Sequence, residues 1–370
     1  ENAKEGAIVR GIDVIGVENL RQTINFLNDN VVIEPETIDL QQMFYDDFIG
    51  DVDFADIKGQ SSAKRALEIA AAGGHNCLMI GPPGSGKTML AKGFASILPE
   101  LSFDEALEVT KIHSIMGKLP KDKPLVVKRP FRFPHHTISV PALIGGGKIP
   151  KPGEISLANH GVLFLDELPE FNKSTLETLR GPLEDREVSI SRLNSVITYP
   201  CNFMLIAAMN PCPCGNYGSG ETCTCTRGAI EKYISKISGP LLDRIDIQIE
   251  VNKVKYQEIK KETKREKSEV IRERVNKARK IQLERYSESN IYSNSEMTPS
   301  LTERYCKLDE RSENLLKGAF EKLRLSARAY NKILKVARTI ADLRDRKNIE
   351  YEDLAEAIQY RSLDRKYWKN

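Results

Sequence analysis

The octapeptide Gly81-Pro82-Pro83-Gly84-Ser85-Gly86-Lys87-Thr88 carries glycines, a lysine and a hydroxyl at the spacing of a phosphate-binding loop. Its glycines let the backbone wrap close around an anion, so that successive N–H groups and the N-terminus of the following helix face phosphate. Lys87 is then expected to reach the β- and γ-phosphates and Thr88 to hold magnesium. Asp166-Glu167 ends the apolar run Val162 to Leu165; it supplies one carboxylate for the magnesium shell and one to polarise an attacking water. Asn210 closes another apolar run, Phe203 to Met209, and its amide could orient the same water, the bland alternative being an Asn that opens a turn before Pro211. A second chemistry is offered by Cys212, Cys214, Cys223 and Cys225, which frame a turn-rich stretch and suit tetrahedral zinc. The C-x-C spacing is tighter than the usual C-x₂-C, and reduced unligated thiols or disulfides stay open. Cys77, Cys201 and Cys306 sit in apolar or helical contexts and read as core residues, and His135 and His136 read as polar contacts rather than metal ligands.

These groups need strands that stop where the chemistry starts. Short apolar runs at Cys77 to Ile80, Val162 to Leu165, Phe203 to Ala208 and Ile245 to Val251 alternate with longer helical patterns. That alternation predicts an α/β domain, a parallel sheet covered by helices, from Ile57 to about Val251. Upstream, Ile8 to Val17 is strand-like and Leu20 to Leu27 amphipathic, followed by an acidic segment; residues 1 to about 48 offer too little for an independent core. Downstream, the charged stretch Lys253 to Arg285 reads as a solvated helix rather than a binding arm, and Tyr286 to Pro299 as a connector. A small helical domain follows, with Ile333, Val336, Ala337 and Ile340 at helical spacing and a last helix carrying Leu354, Ala357 and Ile358. The resulting boundaries are 1–50, 51–252, 253–299 and 300–370.

Of 370 residues, 40% are apolar and 29% charged, and mean hydropathy is −0.39. No run approaches the roughly 18 apolar residues of a spanning helix, which excludes a membrane reading. A net charge of +3 is too small to name a polyanionic partner, so any nucleic-acid argument has to be local. Seven cysteines, four of them crowded together, fit a metal clip in a reducing compartment better than a disulfide framework. Glu1 begins no charged-then-apolar leader, so the chain is expected to be cytoplasmic and to start inside a longer gene product.

Four longer motifs accompany the phosphate loop: Arg129-Pro-Phe-Arg-x-Pro-His-His-Thr-Ile-Ser139, Asn210-Pro-Cys-Pro-Cys-Gly215, Ser238-Gly-Pro-Leu-Leu-Asp-Arg-Ile-Asp246 and Leu325-Ser-Ala-Arg-Ala-Tyr330. With them the chain, from about Ile57 to Arg361, resembles the AAA+ ATPases, specifically the magnesium-chelatase-like branch that includes the ComM/YifB family of bacterial competence-associated proteins. The resemblance implies a P-loop α/β core with a C-terminal helical lid, ATP and magnesium, and assembly into a homo-oligomeric, hexameric ring. It implies that Arg244 is an arginine finger offered to a neighbour's γ-phosphate and that Arg328 is sensor 2, with Arg324 and Arg338 close by. Full-length relatives carry a Lon-protease-like N-terminal domain, of which residues 1–50 look like a remnant plus linker. The expected work is ATP-driven movement on single-stranded or branched DNA, as a translocase or branch-migration helicase. The alternatives are a magnesium-chelatase ATPase subunit that remodels a protein partner, and a protease-linked unfoldase. Two segments are expected to face a central channel. Val126 to Pro141 has Lys128, Arg129 and Arg132 interleaved with Phe131 and Phe133 to neutralise phosphate and stack on bases. The other is a hairpin over Glu187 to Tyr199. Subunit packing is the bland alternative for both.

Overall fold

A computed structural model of the chain describes residues 3–9, 11–37, 52–119, 124–147, 150–192, 195–254, 256, 265–289 and 291–368. They form two compact units, one of residues 1–49 and 100–129, the other of 50–99 and 130–370.

The larger unit is built on a five-stranded sheet made of β1 (Cys77–Ile80), β2 (Phe131–Arg132), β5 (Val162–Leu165), β8 (Met204–Met209) and β9 (Ile247–Glu250), in the order β2-β5-β8-β1-β9. Every pairing in it is parallel. Continuous apolar runs suit such strands because both faces of the sheet are buried. Alternate residues serve the two faces: Cys77, Met79, Val162, Phe164, Ile206 and Ala208 join one core, while Leu78, Ile80, Leu163, Leu165, Leu205 and Ala207 join the other. Two antiparallel ribbons complete the strands, β3 (Gly145–Gly146) with β4 (Lys151–Pro152), and the hairpin β6 (Glu187–Arg192) with β7 (Ser195–Pro200). The hairpin expected over Glu187 to Tyr199 is therefore present; its Leu193-Asn194 centre lies outside the described residues.

Helices α1 (Ser61–Gly73), α2 (Lys87–Phe94) and α3 (Ser268–Arg285) back the first core, together with α4 (Glu310–Leu323), α5 (Ala327–Leu343) and α6 (Tyr351–Gln359). The expected helical C-terminal region is thus observed. The charged stretch is not the solvated helix expected. Ile271, Val275 and Ala278 of α3 are buried, Gln282 Nε2 donates to Ala72 O (3.0 Å), and Arg274 pairs with Glu68 (2.7 Å) on α1. Its charges line the outer faces of a helix whose narrow apolar stripe is fully used.

One further correction concerns the N-terminal third. Ile8 to Val17 is not a strand: residues 3–6 are helical and 12–17 have no regular structure. The smaller unit has a core of its own, Ile8 with Leu101, Ala106, Leu125 and Val127. Residues 1 to 48 alone could not supply it; a helix at Phe103–Ile115, begun by a Ser102/Glu105 capping box, completes it.

Candidate nucleotide site

Parallel register brings the C-terminal ends of three strands together. Ile80 of β1 lies beside Met209 of β8, and Leu165 of β5 beside Ala207, so the residues that follow, Gly81, Asp166 and Asn210, emerge at one edge. The loop Gly81 to Thr88 then turns into α2. Gly84 and Gly86 take φ of +72° and +92°, a region that L side chains rarely enter. One pocket is lined by Pro83, Gly84, Ser85, Gly86, Lys87, Thr88, Asp166, Glu167 and Asn210.

Lys87 is 8% exposed, and its Nζ donates to Gly81 O (2.7 Å), Pro82 O (3.0 Å) and Asn210 Oδ1 (3.2 Å). Burial lowers its affinity for the proton, and the carboxylates of Asp166 and Glu167 act in the opposite sense. A buried ammonium held by neutral oxygens is a charge awaiting an anion. Ser85 Oγ is also buried and has no hydrogen-bond partner among the described residues. Thr88 Oγ1 donates to Asp166 Oδ2 (2.7 Å), the pair that a hard divalent cation would bridge. These features fit a nucleoside triphosphate with magnesium.

Glu167 departs from its surroundings in two ways. Its backbone is left-handed, φ 53° and ψ 45°, and its side chain is 57% exposed, with His136 Nδ1 at 3.7 Å. A left-handed backbone at a non-glycine residue is a strained conformation of the kind that gathers at functional sites. His136 is here a polar contact of this carboxylate, as read from the sequence.

Arg244 lies outside this pocket. Its Nε donates to Arg180 O (2.7 Å) and its Nη1 to Pro240 O (2.8 Å), and its Nη2 pairs with Glu184. Behind it Asn76 acts as a hub: its N–H donates to Asp246 Oδ2 (2.9 Å), its Nδ2 to Arg244 O (2.9 Å), and its Oδ1 accepts from Leu205 N–H (2.8 Å). Asp246 also pairs with Lys332 of α5 and approaches His75 at 3.7 Å. Burial alone would raise the Asp246 carboxyl; Lys332 and His75 outweigh it and hold the group far below the usual carboxylate range. Arg328, at the start of α5, is exposed, with Asp243 at 4.0 Å; it does not line the pocket.

The basic aromatic segment differs from its expected role. Arg129 forks onto Glu105 (3.1 and 3.0 Å) and Arg132 onto Glu154 (2.6 and 2.8 Å). Phe131 and Phe133 pack against Phe164, with ring centroids 6.0 and 4.8 Å apart. The two arginines are thus held in ion pairs at a helix start and at the edge of the sheet, while Phe133 stays 47% exposed. Cys77, Cys201 and Cys306 are buried as expected, and burial pushes the thiols of Cys201 and Cys306 up to about 12. Cys212, Cys214, Cys223 and Cys225 do converge, their sulfurs all within 4.8 Å of one another.

A family model for magnesium chelatase, subunit ChlI, matches residues 53–259, and one for the C-terminal region of that subunit matches 265–361. The chain is 45% identical over 368 residues to the competence protein ComM of Haemophilus influenzae, covering 99% of this chain and 71% of that one. It is 41% identical to YifB of Escherichia coli, an uncharacterized protein, over 99% of this chain and 70% of the other. The 67 kDa magnesium-chelatase subunit of Chlorobaculum parvum is 29% identical over 163 residues, 43% of this chain and 23% of that one. No helix among the described residues is long and apolar enough to cross a membrane.

Proposed function

The chain belongs to the magnesium chelatase subunit ChlI family of AAA+ proteins and is similar along its whole length to ComM, and from that premise we propose that it is a ring-forming ATPase that moves on DNA. The observation that carries the ATPase reading is the convergence of Lys87, the Thr88–Asp166 pair, Glu167 and Asn210 on one pocket.

The residues act as follows. The loop N–H groups and Lys87 hold the phosphate tail, Lys87 exchanging the carbonyls of Gly81 and Pro82 for phosphate oxygens. Thr88 and Asp166 hold the magnesium ion, which when bound draws charge off the terminal phosphates. Glu167 accepts the proton of the attacking water, and Asn210, hydrogen-bonded to Lys87 (3.2 Å), fixes the line of approach. Arg244 serves the site of the next subunit in a hexameric ring, and Arg328 reports nucleotide state from the helical region. We keep the sequence boundaries 1–50, 51–252, 253–299 and 300–370 as a proposed functional division, distinct from the two compact units of the fold, in a cytoplasmic protein.

DNA as the substrate is supported by the likeness to a protein named for competence and by the hairpin β6–β7, where Val196 is 66% exposed. The test is ATP hydrolysis measured with and without single-stranded and branched DNA. Stimulation by DNA, with displacement of a paired strand, is expected. Hydrolysis indifferent to DNA would favour the chelatase-type reading, in which the ring remodels a protein partner.

A further inference from the structure

The loop that follows Asn210 folds four thiols into one cluster. Cys212 Sγ lies 3.3 Å from Cys214 Sγ and 3.7 Å from Cys223 Sγ, and Cys214 Sγ lies 3.6 Å from Cys223 Sγ. A disulfide needs sulfurs about 2.05 Å apart, and all seven cysteines are free thiols. A tetrahedral ion with Zn–S bonds of about 2.3 Å sets its sulfurs about 3.8 Å apart, close to the separations found. The backbone supports sulfur charge as well: Cys214 N–H points to Cys225 Sγ (3.4 Å) and Tyr217 N–H to Cys212 Sγ (3.3 Å). Such donors orient thiolate ligands and temper their charge.

The cluster is built against the nucleotide site. Gly215, between the two cysteine pairs, has φ +83°, and a Cβ placed on it would stand 2.3 Å from Pro83 Cδ. The knuckle therefore presses bare backbone on the phosphate loop. Its first ligand, Cys212, is buried two residues after Asn210. Fixing the four sulfurs fixes both the outer wall of the loop and the end of β8.

We infer that Cys212, Cys214, Cys223 and Cys225 bind one zinc ion, and that the filled knuckle braces Pro83 and Asn210 so that nucleotide affinity depends on the metal. Four protein ligands leave no open position, so the ion is structural. Removal of the metal loosens the brace and weakens nucleotide binding without touching Lys87 or Glu167. The bracing part rests on the phosphate-site reading.

The test uses the whole chain, purified without chelator. Metal content is read by elemental analysis; a thiol-binding mercurial then strips the site, and zinc or cobalt is restored under reductant. A fluorescent ATP analogue reports affinity at each stage. Expected are about one zinc per chain, a tetrahedral four-sulfur spectrum with cobalt, and affinity that falls on the order of tenfold on stripping and recovers on reloading. Gly215→Ala is expected to keep the zinc and still weaken nucleotide binding, because its methyl group meets Pro83. Purified chain without zinc that gives no four-sulfur cobalt spectrum overturns the metal site, and stoichiometric iron overturns the choice of metal. Unchanged affinity in both the stripped protein and Gly215→Ala overturns the brace. A failed phosphate-site reading shows differently, as a Lys87→Ala chain that keeps its nucleotide affinity.

Discussion

Replacing Glu167 tests chemistry and backbone together. The side chain is 57% exposed, with His136 Nδ1 at 3.7 Å, so Glu167→Gln should change folding stability by no more than about 0.5 kcal/mol. Turnover should fall by about 10²–10⁴, the contribution of a positioned general base, which is a barrier increase of about 3–5 kcal/mol. Glu167→Gly should lose turnover equally but gain stability. A left-handed backbone costs an L residue roughly 1–2 kcal/mol, glycine gives back about 0.5–1 kcal/mol in chain entropy, and a net gain of about 0–1.5 kcal/mol remains. Phosphate release at saturating ATP, nucleotide binding by fluorescence and the urea midpoint read the three effects separately. Hydrolysis by Glu167→Gln at the parent rate would refute the assignment of the carboxylate; a Gly variant less stable than the Gln variant would refute the strain argument.

The finger assignment predicts rescue in mixtures: Arg244→Ala and Lys87→Ala chains, each inactive alone, should recover part of the hydrolysis when combined, and mixed rings with no recovery would count against action in trans. Asp246→Asn removes the counter-charge of the Lys332 ammonium and turns an amide NH2 onto either Lys332 Nζ or the Asn76 N–H, and should cost about 3 kcal/mol, read as a lowered urea midpoint with unchanged slope. In the parent chain the depressed carboxyl of Asp246 contributes stability that is present above the unfolded carboxyl range, about pH 4, and lost as pH falls below it; acid titration of the midpoint should show a shallower loss in the Asn variant. Arg132→Ala breaks a fork onto Glu154 (2.6 and 2.8 Å) and should cost about 1 kcal/mol of stability while leaving the salt dependence of DNA binding unaltered. A flattened salt slope would return this residue to the DNA interface.

Much of the nucleotide site was legible because its residues sit at strand ends, and buried parallel strands announce themselves as short apolar runs. Cys77–Ile80 and Val162–Leu165 match their strands end for end. Phe131–Arg132 escaped because two residues carry no periodicity, and its neighbours' charge and aromaticity suggested a ligand surface. The partners that absorb those side chains, Glu105, Glu154 and Phe164, are distant in sequence, and spacing cannot reveal them. Helix α3 misled for a related reason: its stripe of Ile271, Val275 and Ala278 is sparse among lysines and arginines, so composition hid a buried face. Ile8 to Val17 shows the converse, since apolar content without a neighbouring strand to pair with makes no sheet.

Asn76 stands at the opposite end of β1 from Gly81, four residues that span about 13 Å at roughly 3.3 Å each. Its amide grips the backbone of Arg244, and its own backbone begins the strand that ends in the phosphate loop. Under the finger assignment, β1 is a pushrod as well as the floor of a pocket. A tug on Arg244 from the neighbour's nucleotide reaches the loop that grips this chain's own nucleotide along a single strand, stiffened on both sides by β8 and β9. Firing order around a ring then needs no relay longer than that strand, and a loosened Asn76 would leave every site competent but each deaf to the next.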